Sequence, residues 1–229
     1  MRRKREMSTG KIKKCKARLN LDGSRMKKGV DYQLTYAPVV RWSSIRLVML
    51  LSMLNCWKTV QLDYVHAYPQ APIEREMFIR IPVGIDIDEG DKADFVLQML
   101  RNIYGQRQAG RVWNKYLHDI LVKLGFEQSQ IDEGVYYRDD VIYRLYTDDS
   151  ILASKSEAKI NQAIKDIQDS GLKITIEGDV EEFLGVHIQR TEDGKFKMSQ
   201  PHLANQICND LGFKDNTKGK MFQQHHPKS

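Results

Sequence analysis

"VIYRLYTDDSILAS", residues 141–154, sets two adjacent carboxylates, Asp148 and Asp149, between two apolar runs each short enough to be a strand. Asp is a poor strand former and a good turn former, so the segment reads as a hairpin with "TDD" (147–149) at its tip. Upstream, "GVYYR" and the Asp139-Asp140 pair extend the pattern to three short strands in a meander. An Asp-Asp turn is commonly no more than turn chemistry, the side chain bonding its own backbone. Two features point further. Both carboxylates stand at the edge of an apolar sheet, where like charges this close are costly without a cation. A third acid, Asp63, lies inside the otherwise apolar strand "VQLDYV" (60–65), and no basic residue of that strand compensates it.

Working outward, "SSIRLVMLLSMLNCW" (43–57) has helical spacing, with Ser43 or Ser44 as N-cap; being apolar nearly all round, it predicts a buried helix. "TVQLDYVHAY" (59–68) reads as a strand, and "EMFIRIP" (76–82) and "FVLQML" (95–100) as strands around an acidic loop at 84–94. Val112, Trp113, Tyr116, Leu117, Ile120, Leu121 and Leu124 mark an amphipathic helix closed by Gly125. Ser154 with Glu157 forms a capping box for a helix whose apolar face is Ile160, Ala163, Ile164 and Ile167. "LKITIE" (172–177) and "FLGVHIQR" (183–190) are strands, the latter pairing through "TEDG" with "KFKMSQ" (195–200). A last helix starts near Pro201 and stops at Gly212. Helices and antiparallel strands alternate irregularly, which predicts an α+β fold.

With 229 residues, 41% hydrophobic and 29% charged, the chain can bury a sizeable core. Cys15, Cys56 and Cys208 form no CxxC pattern, which argues against a disulfide framework or a structural zinc site and fits a reducing compartment. The longest apolar stretch, "LVMLLSML" (47–54), is far short of the ~20 residues of a membrane span. The N-terminus has no apolar segment of the secretory kind. Residues 1–18 carry nine Lys or Arg against the single Glu6, which reads either as a solvated tail or as an arm that meets phosphates. His66, His118, His187 and His202 show no ligand spacing, and Trp42, Trp57 and Trp113 are most simply core.

Three carboxylates on two adjacent strands make an all-oxygen site of the kind that holds Mg²⁺ together with substrate phosphates. A Y-x-D-D turn at a hairpin tip with an upstream strand Asp resembles the palm of reverse transcriptases. The wider text is more specific. "KARLNLDGSRMKKGVDYQLTYAPVVRWSSIRL", "QLDYVHAYPQAPIEREMFIRIPVG", "NIYGQRQAGRVWNKYL", "GFEQSQIDEGVYYR", "LYTDDSIL" and "FLGVHIQR" resemble, in order, consecutive blocks of copia-type LTR-retrotransposon polymerases, from about residue 14 to 213.

The resemblance implies right-hand polymerase fingers and palm over 14–213, with a basic arm at 1–13 and a disordered tail at 214–229. It implies RNA-directed DNA synthesis by two-metal nucleotidyl transfer to a primer 3′-OH. The cofactors would be two Mg²⁺, or Mn²⁺. The partners would be an RNA or DNA template-primer, deoxynucleoside triphosphates and the rest of a Pol polyprotein, with no membrane. By the same resemblance Asp63, Asp148 and Asp149 are the catalytic metal ligands, joined by the backbone carbonyl of Tyr64. Tyr68 falls at the aromatic gate against a 2′-hydroxyl. Lys16 and Arg18 face the triphosphate. Gly105, Arg107 and Gln108 of "YGQRQAG" (104–110) lie against the template base and incoming nucleotide. Gly110, where many relatives have Pro, loosens that loop. Tyr146 and Thr147 contact the primer. The chain has no room for a thumb, ribonuclease H or integrase, so a fragment or a decayed copy is expected. The alternative reading is an inactive, nucleic-acid-binding remnant. The expected compartment is cytoplasmic, nuclear or both.

Overall fold

The 141–154 hairpin is the centre of the sheet, because its strands alternate large apolar side chains that need cover on both faces. The structure, a computed structural model, describes residues 2–5, 12–16, 19–87, 90–178, 182–183, 186–191 and 196–212. Its first compact part, Met1–Gly178, opens with β1 (Arg2–Arg5) and β2 (Ile12–Lys16). Then come α1 (Trp42–Leu54), β3 (Lys58–Tyr64), α2 (Ala67–Gln70), β4 (Phe78–Arg80) and β5 (Val96–Gln98). It continues with α3 (Ala109–Lys123), β6 (Glu127–Gln128), β7 (Val135–Arg138), β8 (Val141–Tyr146) and β9 (Asp149–Ser154), and closes with α4 (Glu157–Asp169) and β10 (Ile174–Gly178). The second part, Asp179–Ser229, holds β11 (Glu182–Phe183), β12 (Val186–Arg190) and β13 (Phe196–Ser199) in an antiparallel sheet, and α5 (Pro201–Asp210).

The main sheet has six strands in the order β10-β3-β9-β8-β7-β6, every neighbouring pair antiparallel. One face, with Leu62, Tyr64, Tyr143, Leu145 and Leu152, packs on Val112, Trp113, Leu117 and Leu121 of α3 and on Ile160, Ala163, Ile164 and Ile167 of α4. Each fully buried aliphatic chain there contributes about 1.5–3 kcal/mol. The opposite face carries Asp63, Asp149 and Ile151, since side chains alternate along a strand. There α1 covers Arg144 through the Ile45 carbonyl and the Met49 sulfur.

A separate core of Met26, Met77 and Met99, flanked by Leu21, Tyr32, Ile73, Ile79 and Ile103, joins the 19–32 segment to the β4-β5 hairpin. Methionine suits this role because it fills irregular gaps between elements that are not in register. Among the described residues no helix is long and apolar enough to cross a membrane.

The α+β reading and the meander hold, with local differences. Helix α1 is capped by Arg41 without a side-chain bond, because Ser44 instead donates to Asp132, which also accepts from the Arg41 amide. Nor is α1 buried all round: Leu47, Leu50 and Leu54, one helical stripe, are exposed. The expected strand 59–68 ends at Tyr64, and the chain turns through His66, in left-handed conformation, into α2. The cap of α4 is Ser156, which accepts from the Lys159 amide; Ser154 instead accepts from the Ser156 amide. The expected boundary of the basic arm at residue 13 falls inside β2, which pairs antiparallel with β1 from Arg2 opposite Lys16 to Arg5 opposite Ile12. The tail at 214–229 lies outside the described residues.

Candidate active site

Strand pairing brings the three carboxylates to one end of the sheet. In the β3-β9 ladder Asp63 stands directly opposite Asp149, and facing residues of an antiparallel pair share a face. Tyr146 pairs with Asp149 across the hairpin, so Thr147 and Asp148 form its two-residue tip. Thr147 has φ 56°, a left-handed conformation that Gly ordinarily supplies in such turns and that strains a β-branched residue. Two donors from different elements hold the tip. The Trp113 indole Nε1–H donates to the Thr147 carbonyl at 2.8 Å, and the Tyr64 amide donates to the Asp148 carbonyl at 3.0 Å.

Among the described residues, acidic groups gather at this end. Burial pushes the Asp149 carboxyl up to about 6, and the neighbouring charges of Asp63, Glu177 and Asp148 push the same way. Glu177 occupies the register irregularity of β10, where Ile176 pairs with Leu62 and Gly178 with Gln61. The Tyr104 hydroxyl lies 3.5 Å from Asp148 Oδ2. Beneath the carboxylates, Tyr64 Oη meets Tyr143 Oη at 2.8 Å, and Tyr143 Oη meets Ser150 Oγ at 2.7 Å, which satisfies these buried hydroxyls without drawing on the acids. Among the described residues no three His, Cys, Asp or Glu side chains form a ready-made ligand cluster. The donor set nonetheless fits a hard divalent cation: three carboxylates gathered at one end of the sheet, with the Asp149 proton held more tightly by burial and by its acidic neighbours.

Tyr68 sits in α2, not at a strand end, with its ring 4.8 Å from that of Tyr104. Burial and then the Asp148 charge raise its hydroxyl above the ordinary range. Its hydroxyl borders Gly110, where an added Cβ would lie 3.7 Å away, an ordinary contact. The "YGQRQAG" loop is anchored throughout. Gly105 (φ 90°) lets the backbone approach Leu21 so closely that a Cβ would stand 2.0 Å from the Leu21 carbonyl oxygen. The close approach it permits is therefore to the chain's own 19–25 segment. Gln106 accepts from the Ile103 amide and donates to the sulfurs of Met77 and Met99. Arg107 Nε donates to the Gly23 carbonyl at 2.7 Å. Gln108 is buried, donates to the Met77 sulfur, and keeps a buried Oε1 with no hydrogen-bond partner. It lines a cleft of about 250 Å³ with Tyr32, Gln33, Arg75 and Arg111. Arg111 pairs there with Glu74 and donates to the Leu34 carbonyl.

The structure thus brings Asp63, Asp148, Asp149, Tyr64, Tyr68, Tyr146 and Thr147 to one end of the sheet, and sets Gly105, Arg107 and Gln108 on the loop that follows Tyr104. Lys16 is described only as backbone of β2, and Arg18 lies outside the described residues. Sequence reasoning missed Glu177, Tyr104 and Trp113. The Trp113 spacing signals only a helix face, and an exposed Glu in a short strand carries no signal of what it neighbours.

The family model for reverse transcriptase (RNA-dependent DNA polymerase) matches residues 2–222. The chain is 30% identical over 190 residues, 82% of its length, to the retrovirus-related Pol polyprotein from transposon RE2 of Arabidopsis thaliana, of which it covers 13%. It is 26% identical over 211 residues, 90% of its length, to the Pol polyprotein from transposon TNT 1-94 of Nicotiana tabacum, covering 16%. To the transposon Ty1-DR1 Gag-Pol polyprotein of Saccharomyces cerevisiae it is 28% identical over 180 residues, 76% of its length and 10% of that protein. The chain therefore spans a small part of the length of these relatives. With a match that runs through both compact parts and takes in all three carboxylates, this chain belongs to the reverse transcriptase family found in the Pol polyproteins of copia-type retrotransposons.

Proposed function

We propose that this chain carries the fingers and palm of an RNA-directed DNA polymerase, which adds deoxynucleotides to a primer 3′-OH at the Asp63, Asp148 and Asp149 end of the sheet. The observation that carries the reading is the register: Asp63 faces Asp149 across adjacent strands, on the face opposite the α3 and α4 core, with Asp148 in the turn beside them. Asp63, Asp148, Asp149 and the Tyr64 carbonyl would hold two Mg²⁺, or Mn²⁺, which lower the pKa of an attacking hydroxyl and stabilise charge on a leaving pyrophosphate.

The chain's own residues then divide the remaining work. Tyr68, packed on Tyr104 beside Asp148, sets an aromatic face where the sugar of an incoming nucleotide would lie, so that a 2′-hydroxyl would clash. Gln108 borders the cleft, while Arg107 secures the loop to Gly23 and keeps further N–H donors for substrate. Lys16 and Arg18 supply cations for the triphosphate, and Tyr146 and Thr147 the contact to the primer end. The basic segment 1–18 adds salt-sensitive affinity for a template-primer.

The test is primer extension on a poly(rA)/oligo(dT) duplex with dTTP and Mg²⁺ or Mn²⁺, comparing the chain with Asp148→Asn. Extension that vanishes in the variant supports the reading. Salt-sensitive duplex binding by a folded protein without extension overturns it in favour of an inactive binding remnant.

A further inference from the structure

The strained tip of the hairpin needs a holder, and the structure places one in α3. Thr147 adopts φ 56°, a conformation disfavoured for any residue with a branched β-carbon. Such a turn persists only where its surroundings over-determine it. The surroundings here are specific. Trp113, 1% exposed, donates its indole N–H to the Thr147 carbonyl at 2.8 Å. The same indole packs edge-on against the Tyr64 ring, centroids 5.0 Å apart at 67°. Tyr64 follows Asp63 in β3 and gives its amide to the Asp148 carbonyl at 3.0 Å. One side chain thus touches both segments that carry the carboxylates: the turn bearing Asp148 and Asp149, and the strand end bearing Asp63.

From this geometry we propose that Trp113 is a positioning residue, whose indole N–H holds the Thr147–Asp148 tip and thereby sets Asp148 and Asp149 against Asp63. The inference rests on the polymerase reading for its consequence, but the hold on the turn stands on geometry alone. A Trp buried only for its volume would need an indole N–H partner anywhere. This one spends it on the single left-handed residue of the candidate site's turn. Phe at 113 keeps an aromatic ring against Tyr64 and loses only the donor and part of the volume.

The test uses the full chain and two readouts. Amide hydrogen exchange is compared for Tyr64, whose N–H is bonded to the tip, and Leu152, in the same sheet away from it. In Trp113→Phe the Tyr64 amide should exchange about tenfold faster while Leu152 is unchanged. Adding Thr147→Gly, which accepts the left-handed conformation without strain, should restore Tyr64 protection. Acceleration of both amides together, or of neither, overturns the proposal and leaves Trp113 as core. Mn²⁺ binding, followed by the electron paramagnetic resonance of the free ion, supplies the second readout: Trp113→Phe should bind about tenfold more weakly than the parent, with Thr147→Gly recovering the loss. Equal affinity in parent and Trp113→Phe overturns the positioning role. A parent that binds no Mn²⁺ overturns the polymerase reading instead, while the exchange contrast still decides whether Trp113 holds the turn.

Discussion

Two places on the main sheet carry a charge that burial disfavours, and they differ in access. Arg144, on β8, is 0% exposed. Its guanidinium reaches the Ile45 carbonyl at 2.9 Å and the Met49 sulfur at 3.5 Å, and its Nε has no hydrogen-bond partner. Burial alone brings its pKa down to about 10. At one end of the sheet, Asp63, Asp148 and Asp149 are only partly buried, with exposed Glu177 adding to the charge that raises Asp149. Both arrangements cost free energy in the folded chain. The buried cation is roofed by α1, where no ligand can arrive. The carboxylates stand at an open edge where a cation can. A charge that burial disfavours points to a ligand only when there is a way in. By that criterion the acids are the candidate site and Arg144 is a burden.

The sharpest break between the two would come from removing one charge at each. Asp63→Asn should leave the fold intact and lower primer extension by about a hundredfold or more; extension within a few fold of the parent would return the acids to the status of Arg144. Arg144→Met, close in length and apolar, should raise stability by about 1–3 kcal/mol in a denaturant titration. A loss of stability instead would mean that the guanidinium bonds to α1 outweigh its desolvation.

The pH dependence sharpens the acid side. Asp149 ionises near 3.8 when unconstrained and near 6 in the folded chain, so the native state binds its proton more tightly than the unfolded state does. Its contribution to stability is therefore most favourable below the unfolded value and declines as pH rises through the folded one. Thermal melts without divalent ions should show a decline between about pH 4 and pH 6 that Asp149→Asn flattens. The smallest effect concerns Gly110, in the first turn of α3. Gly110→Ala, at a position where a Cβ meets only ordinary contacts, should stabilise the start of α3 by about 0.5–1 kcal/mol. A destabilised Gly110→Ala would indicate that Tyr68 needs the space.

Much of this arrangement is legible in the sequence because it is local. The alternation in 141–154, the apolar stripes of α3 and α4, and the Asp63 that interrupts an apolar strand all follow from periods of two or about four residues. What escaped depends on distant partners. Ser44 has the right chemistry for a cap but is drawn to Asp132, 88 positions away. Ser154 and Ser156 are both competent caps, and the end of β9 at Ser154 decides between them. Tyr68 moves from strand to helical turn because His66 takes a left-handed conformation that the run "YVHAY" does not signal. Trp113 could be placed on the apolar face of α3, yet its indole partner lies 34 positions downstream. The carboxylates themselves were legible because an acid inside an apolar strand, and an acid pair between two apolar runs, are local signals.

The most direct test of the central claim, that burial and acidic neighbours disfavour the Asp149 charge and a divalent cation relieves this, compares thermal stability of the parent and Asp149→Asn at pH 7.5, in EDTA and in millimolar Mn²⁺. A reversal is expected: in EDTA the variant melts at higher temperature than the parent, and Mn²⁺ raises the parent's melting temperature while leaving the variant's nearly unchanged. A variant that melts lower than the parent in EDTA and gains as much from Mn²⁺ would contradict it, and would make Asp149 a residue of the turn and nothing more.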